Sequence, residues 1–199
     1  MDKAKRIELS IYGYQPSSFC DYPGKTASVF FTAGCNMNCS YCHNMAMMKN
    51  SHVLSIDEIY SCVKHAAGNK LSDAIVVSGG EPTLQGRNLI NFIRFLKETS
   101  NKKIKLDTNG TNFDILYEII NDKLIDFIAM DIKSNFDDYK KFCYYGNPES
   151  LYKSVDMILK SGLEHQFRCT VGSEFSRRDF KFINNYFPDI KLQQYKRLN

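Results

Sequence analysis

The chain has 199 residues, 43% hydrophobic and 24% charged, a balance that suits one globular domain with a sizeable core. Its formal charge of +4 is small for that length, and the basic residues are scattered in pairs such as Lys102-Lys103, Lys140-Lys141 and Arg177-Arg178. These read as solvated faces and weigh against a nucleic-acid binder, which concentrates its positive charge. No apolar run approaches a membrane span, and the first residues lead into mixed sequence instead of a signal-peptide stretch, so a cytoplasmic protein is expected.

After an unassigned N-terminal segment, β-rich runs alternate with segments of helical period, the pattern of βα units and a parallel sheet. Thr26 to Thr32 is the first strand expected. Ser55 to Ala67 follows as a helix, with Ser55 as N-cap and Glu58 completing a capping box. Ala74 to Ser78 is the second strand, and a helix near Asn88 to Thr99 comes next. Ile104 to Leu106 is a short third strand, Phe113 to Asn121 a helix, and Phe127 to Ile132 the fourth strand. Asp137 to Ser161 is helical with a break at Gly146-Asn147-Pro148. His165 to Val171 is strand five, Arg177 to Tyr186 a helix, and Ile190 to Leu192 a last short strand.

No linker or repeat interrupts this alternation, so residues 1–199 are expected to form a single domain. Six units are fewer than the eight that close a barrel. The expected fold is therefore a partial (βα)6 TIM-like barrel of parallel strands, open on one side. A doubly wound open sheet is the alternative that strand counting leaves standing. In either architecture the carboxyl ends of the strands converge on one face. There lie the cysteine cluster, Gly79-Gly80-Glu81-Pro82, Asp107-Thr108-Asn109-Gly110 and Asp131-Ile132-Lys133.

Seven cysteines is an odd count. Cys35, Cys39 and Cys42 fall close together, whereas Cys20, Cys62, Cys143 and Cys169 stand apart and are expected to be small buried hydrophobes. A tight loop with this spacing can wrap three thiolates around one iron-sulfur cluster. A four-iron cluster ordinarily takes four thiolates, so three leave one iron open to an amino acid's amino and carboxylate groups. The methionine end of S-adenosylmethionine (SAM) supplies those groups. An electron from the cluster can then break the adjacent sulfonium-carbon bond to give a 5′-deoxyadenosyl radical. The alternative is a zinc site with His43 or a distant cysteine as fourth ligand, although zinc sites more often show paired two-residue spacings.

The cysteine spacing, Tyr41 ahead of the third cysteine and Gly79-Gly80-Glu81-Pro82 resemble the radical SAM superfamily over nearly the whole chain. Asp21-Tyr22-Pro23-Gly24-Lys25, Tyr41-Cys42-His43-Asn44, Asp107-Thr108-Asn109-Gly110 and Asp131-Ile132-Lys133 are similar to segments of the activases of glycyl-radical enzymes. Phe167-Arg168-Cys169-Thr170-Val171 and Leu192-Gln193-Gln194-Tyr195 resemble most the activating protein of anaerobic ribonucleotide reductase. Cys20 departs from the activase pattern, which tends to carry a small or aliphatic residue there, and the lack of an evident terminal histidine favours the reductase over pyruvate formate-lyase as partner.

The resemblance implies a 4Fe-4S cluster on Cys35, Cys39 and Cys42, with Glu81 hydrogen-bonding the SAM amino group and Gly79 and Gly80 allowing close backbone approach. It places Asp107, Thr108 and Asp131 near the ribose or a bound monovalent cation. Lys133 and Arg168 supply charge for the SAM carboxylate or a neighbouring acid, and Tyr41 forms a wall for the adenine. Asp21 is placed near the reacting backbone, although it could equally begin an Asp-Tyr-Pro-Gly turn. His43 is expected to order the cluster loop, and His52, His65 and His165 to be surface or core residues.

The implied activity is hydrogen abstraction from a glycine Cα of a partner enzyme, with a flavodoxin or ferredoxin as electron donor. The alternatives are a radical SAM enzyme acting on a small molecule, peptide or RNA base, and a non-catalytic iron-sulfur electron carrier or zinc-binding module.

Overall fold

The computed structural model describes residues 8–42, 45, 53–172 and 175–195, so the expectations for His43, Asn44 and His52 lie outside the described residues. Among the described residues seven strands form one sheet in chain order: β1 (Ile11–Tyr22), β2 (Lys25–Thr32), β3 (Ala74–Gly79), β4 (Lys103–Thr108), β5 (Phe127–Asp131), β6 (Glu164–Val171) and β7 (Lys191–Gln194). From β2 onward every neighbouring pair is parallel. The helices are α1 (Ile56–Gly68), α2 (Arg87–Thr99), α3 (Phe113–Asn121), α4 (Tyr139–Cys143), α5 (Pro148–Lys160) and α6 (Arg177–Tyr186).

Local chemistry sets the helix ends. Ser55 and Glu58 make the expected capping box on α1, and Ser176 with Asp179 makes a second on α6. The break between α4 and α5 has its cause in Asn147-Pro148. The Asn147 side chain caps Ser150 N–H, and Pro148 occupies the first turn, where its missing N–H costs nothing.

β1 departs from the sequence reading, which expected parallel strands alone. It runs antiparallel to β2 through a hairpin at Tyr22-Pro23-Gly24-Lys25. The turn therefore begins at Tyr22 rather than Asp21. Register shifts at three places along β1 bend it, as bulges do.

Side chains alternate across the sheet. One face presents Phe30, Ile75, Val77, Ile104, Leu106, Ile128 and Met130 to the helices and holds most of the core. The other gathers Ala27, Val29, Ala74, Val76 and Ala129 with Tyr22 and Phe127. Tyr22 on β1 and Phe127 on β5 have ring centroids 5.4 Å apart. Four strand spacings would put their strands roughly 19 Å apart on a flat sheet, so the sheet must curl. It does so as a half-barrel: small residues line the concave side, the Tyr22–Phe127 contact closes its base, and β1 and β7 remain as separate edges.

Candidate active site

At the carboxyl end of the strands lies a cavity of about 480 Å³. Cys35, Cys39 and Cys42 line it from the loop after β2, Gly79 and Gly80 from the end of β3, and Asp107 and Thr108 from β4. Asp131 enters from the end of β5 and Lys133 from just beyond it, Arg168 from β6, and Tyr41 from the cysteine loop. Thus the structure brings together all the residues expected there except Glu81 and Asp21.

Glu81 sits behind the wall. It is 0% exposed, and its carboxylate accepts hydrogen bonds from Thr83 N–H, the Thr83 and Thr108 hydroxyls and Asn109 N–H. Burial raises its pKa against those donors. The side chain ties the β3 and β4 loops together behind the cavity wall. Asp21 lies at the hairpin end of β1, away from the cysteine loop, with its carboxylate accepting from the Ser18 hydroxyl.

The glycines after β3 are required by a neighbour within the protein. A Cβ at Gly80 would collide with the Gly34 carbonyl, and one at Gly79, whose φ is 130°, with the Thr32 backbone. Gly80 N–H donates to Thr32 O at 3.1 Å and Glu81 N–H to Gly34 O at 2.8 Å. Their bareness lets the cysteine loop seat directly on the end of β3. Asn36 and Asn109 add a second fastening: Asn109 Nδ2 donates to Asn36 Oδ1 at 2.9 Å, and Asn36 Nδ2 to the Thr111 hydroxyl at 2.8 Å.

The thiols differ. Burial pushes Cys35 up to about 11. The neighbouring Cys143 thiol lowers Cys39 against its burial and is itself correspondingly raised. Of the outlying cysteines, Cys143 and Cys169 are buried as expected and Cys62 partly so, but Cys20 is exposed because it lies on an edge strand. His65 and His165 are at the surface, His65 bonded to the Tyr14 hydroxyl and His165 to the Leu163 carbonyl.

Charge alternates along the concave face. Asp107 pairs with Lys105 and with Arg168 Nη1 at 3.4 Å, and Ser78 donates to it at 3.1 Å. Asp131 accepts from Arg168 Nε at 2.8 Å and from Lys133 Nζ at 3.1 Å. Burial would raise the Asp131 carboxyl, but Lys133 and Arg168 outweigh it and hold the group at about 2. Lys133 is fixed from behind by its N–H bond to the buried Tyr139 hydroxyl, 2.8 Å. Three cations thus face two anions, leaving room for one more negative group. Sequence reasoning missed Lys105, Ser78, Asn36 and Asn109. Asn109 alone carried a signal, through its place beside Asp107-Thr108.

The donor set fits a cluster and a zwitterionic ligand. Three soft thiols face one cavity, the floor carries surplus positive charge, and the Tyr41 hydroxyl is buried in the wall with no hydrogen-bond partner among the described residues. Among the described residues no three His, Cys, Asp or Glu side chains converge as they would around a single ion.

A half-barrel with three cysteines on the loop after its first parallel strand is the architecture of radical SAM enzymes, and the chain belongs to that superfamily: its sequence profile matches residues 29–186. Within it, the chain is 38% identical to a protein of Methanocaldococcus jannaschii named as a glycyl-radical enzyme activating enzyme, over 94% of this chain and 78% of the relative. It is 30% identical to the pyruvate formate-lyase-activating enzyme of Clostridium pasteurianum, over 91% of this chain and 77% of that one. The structure of anSMEcpe with bound AdoMet and a peptide superposes with a TM-score of 0.62 at 18% identity, covering 82% of this chain. The chain spans about half, 48%, of that structure's length. Among the described residues no helix is long and apolar enough to cross a membrane.

Proposed function

We propose that this radical SAM enzyme activates a glycyl-radical enzyme by abstracting a hydrogen from one glycine Cα, with anaerobic ribonucleotide reductase as the partner. The observation that carries the reading is the position of the cavity. One of its walls is the edge strand β7, through Gln193 and Gln194, so it is bounded by a sheet margin that a second protein can cover. The similarity to two activating enzymes over most of both chains supports the same reading.

In this proposal Cys35, Cys39 and Cys42 hold the 4Fe-4S cluster. When bound, the cluster and SAM supply one-electron chemistry that yields a carbon-centred radical. Arg168 and Lys133 receive the methionine carboxylate, and Asp131, fixed between them, keeps both oriented. Asp107 and Thr108 face the ribose or a monovalent cation. Tyr41, whose ring lies 6.2 Å from that of Tyr195, walls the adenine and offers its hydroxyl. The partner's glycine segment covers the mouth and excludes water, and a flavodoxin or ferredoxin supplies the electron.

The test is anaerobic reconstitution, reduction, and addition of SAM with either the reductase or pyruvate formate-lyase, read by electron paramagnetic resonance. An organic radical doublet on the reductase is expected. A doublet only on pyruvate formate-lyase refutes the choice of partner, and SAM cleavage with no doublet on any glycyl-radical enzyme refutes the activase reading.

A further inference from the structure

Lys105 is the least expected charge in the molecule. Its side chain is 2% exposed, and it lies in mid-strand on the concave face, in register with Val76 of β3 and Phe127 of β5. A buried ammonium is costly unless it is paired and hydrogen-bonded. Lys105 Nζ meets that demand by donating to the Asp107 carboxylate and, at 2.6 Å, to the main-chain carbonyl of Asp21. It also stands 6.0 Å from the centroid of the Phe127 ring, on which Tyr22 packs. Its contacts therefore reach in two directions.

On the cavity side, Asp107 passes the link to Arg168, and Arg168 to Asp131. On the other side, Asp21 and Tyr22 begin the hairpin that closes the base of the half-barrel. One ammonium joins two parts of the chain 84 residues apart. It is a side-chain joint between the ligand cavity and the segment bearing Asp21.

We propose that Lys105 is a positioning residue that couples the Asp21–Lys25 hairpin to the cavity, so that a ligand held there orders the hairpin and an ordered hairpin strengthens ligand binding. Fixing Asp107 and Arg168 on a bound zwitterion removes freedom from Lys105, and through it from the Asp21 carbonyl. Ordering either end meets part of the entropy of ordering the other, and the coupling is reciprocal. This inference rests on the cavity being the SAM site.

The experiment is hydrogen–deuterium exchange of the whole reconstituted chain under anaerobic conditions, with and without saturating SAM. SAM occupancy is followed separately by the change in the cluster's spectrum. In the wild type SAM is expected to slow the amides of Asp21, Tyr22, Gly24 and Lys25 about tenfold. In Lys105→Met the SAM effect on these amides should fall below about twofold, although SAM still changes the cluster spectrum. Should that variant fail to fold, Lys105→Gln keeps a polar end on a stem too short to reach both the Asp107 carboxylate and the Asp21 carbonyl and should show the same loss.

A packing role alone would speed exchange with and without SAM and leave the SAM-dependent difference intact. Equal protection in the variant and the wild type overturns the proposal. So does a wild-type hairpin indifferent to SAM while the cluster spectrum responds, in which case the SAM site itself still stands. A wild-type cluster that does not respond to SAM overturns both.

Discussion

Arg168→Met removes the guanidinium at the centre of the charge chain and keeps much of its packing. Arg168 reaches Asp131 at 2.8 Å and Asp107 at 3.4 Å, and its side chain is 16% exposed. Breaking a buried pair costs about 3–5 kcal/mol when it strands the partner. Here neither partner is stranded, since Lys133 stays with Asp131 and Lys105 with Asp107. The stability cost should therefore sit at or below the lower end, about 3 kcal/mol.

Ligand binding should suffer more selectively. The surplus positive charge on the concave face disappears, and losing one charge-assisted hydrogen bond to a carboxylate costs about 1.5–3 kcal/mol, or about 10- to 100-fold in Kd. Titration of the reconstituted enzyme with SAM, followed by the cluster's spectrum, reads this directly, and urea unfolding reads the stability term. A Kd within about twofold of wild type at full iron content would refute the charge argument.

Gly80→Ala places a methyl group against the Gly34 carbonyl and at 3.3 Å from Cys35 Cβ. It should cost about 1–3 kcal/mol and lower the iron retained per chain after reconstitution, because the atoms forced to move belong to the cysteine loop. Unchanged iron content would show that the loop does not depend on this seat. Tyr22→Ala empties the base of the half-barrel, where Tyr22 is 3% exposed. It should lower unfolding stability by about 3 kcal/mol while iron content stays normal, the cysteine loop being at the opposite end of β2. Loss of iron would contradict that separation.

Asp131 sits at about 2 in the folded chain, below an ordinary carboxyl near 4. Its stabilising contribution is therefore fully present above about pH 4 and is lost as pH falls toward 2. Solvent access discounts it to at most about 2 kcal/mol. Urea unfolding of the wild type and Asp131→Asn between pH 5 and 2, pH values being roughly those of the titration, should converge at the acid end. Parallel curves would show that the carboxylate is not held by its two cations.

The parallel strands and the main helices were legible because each carries its own signal. Ala74 to Ser78 is a continuous apolar run bounded by turns, and Ser55 with Glu58 announces a helix start. β1 carried no such mark. Its burial follows no strict alternation, Gly13 and Pro16 interrupt it, and it is bent by register shifts, all tolerable on an edge strand. The cavity residues were legible as polar groups at strand ends. The protein partners of Glu81 were not legible, because nothing local says that Thr83, Thr108 and Asn109 will surround its carboxylate. Lys105 was invisible for the same reason. In Lys103-Ile104-Lys105 it looks like any solvated lysine, and only the folding of Asp21 onto the concave face makes its burial possible.

The Tyr22–Phe127 contact also sets a direction. Aromatic rings stopper the lower end of the trough, so the proposed nucleoside ligand would enter by the rim that carries the cysteines, which is also the rim a partner protein would cover. Under the activase proposal, loading the small ligand before the protein is therefore the expected order.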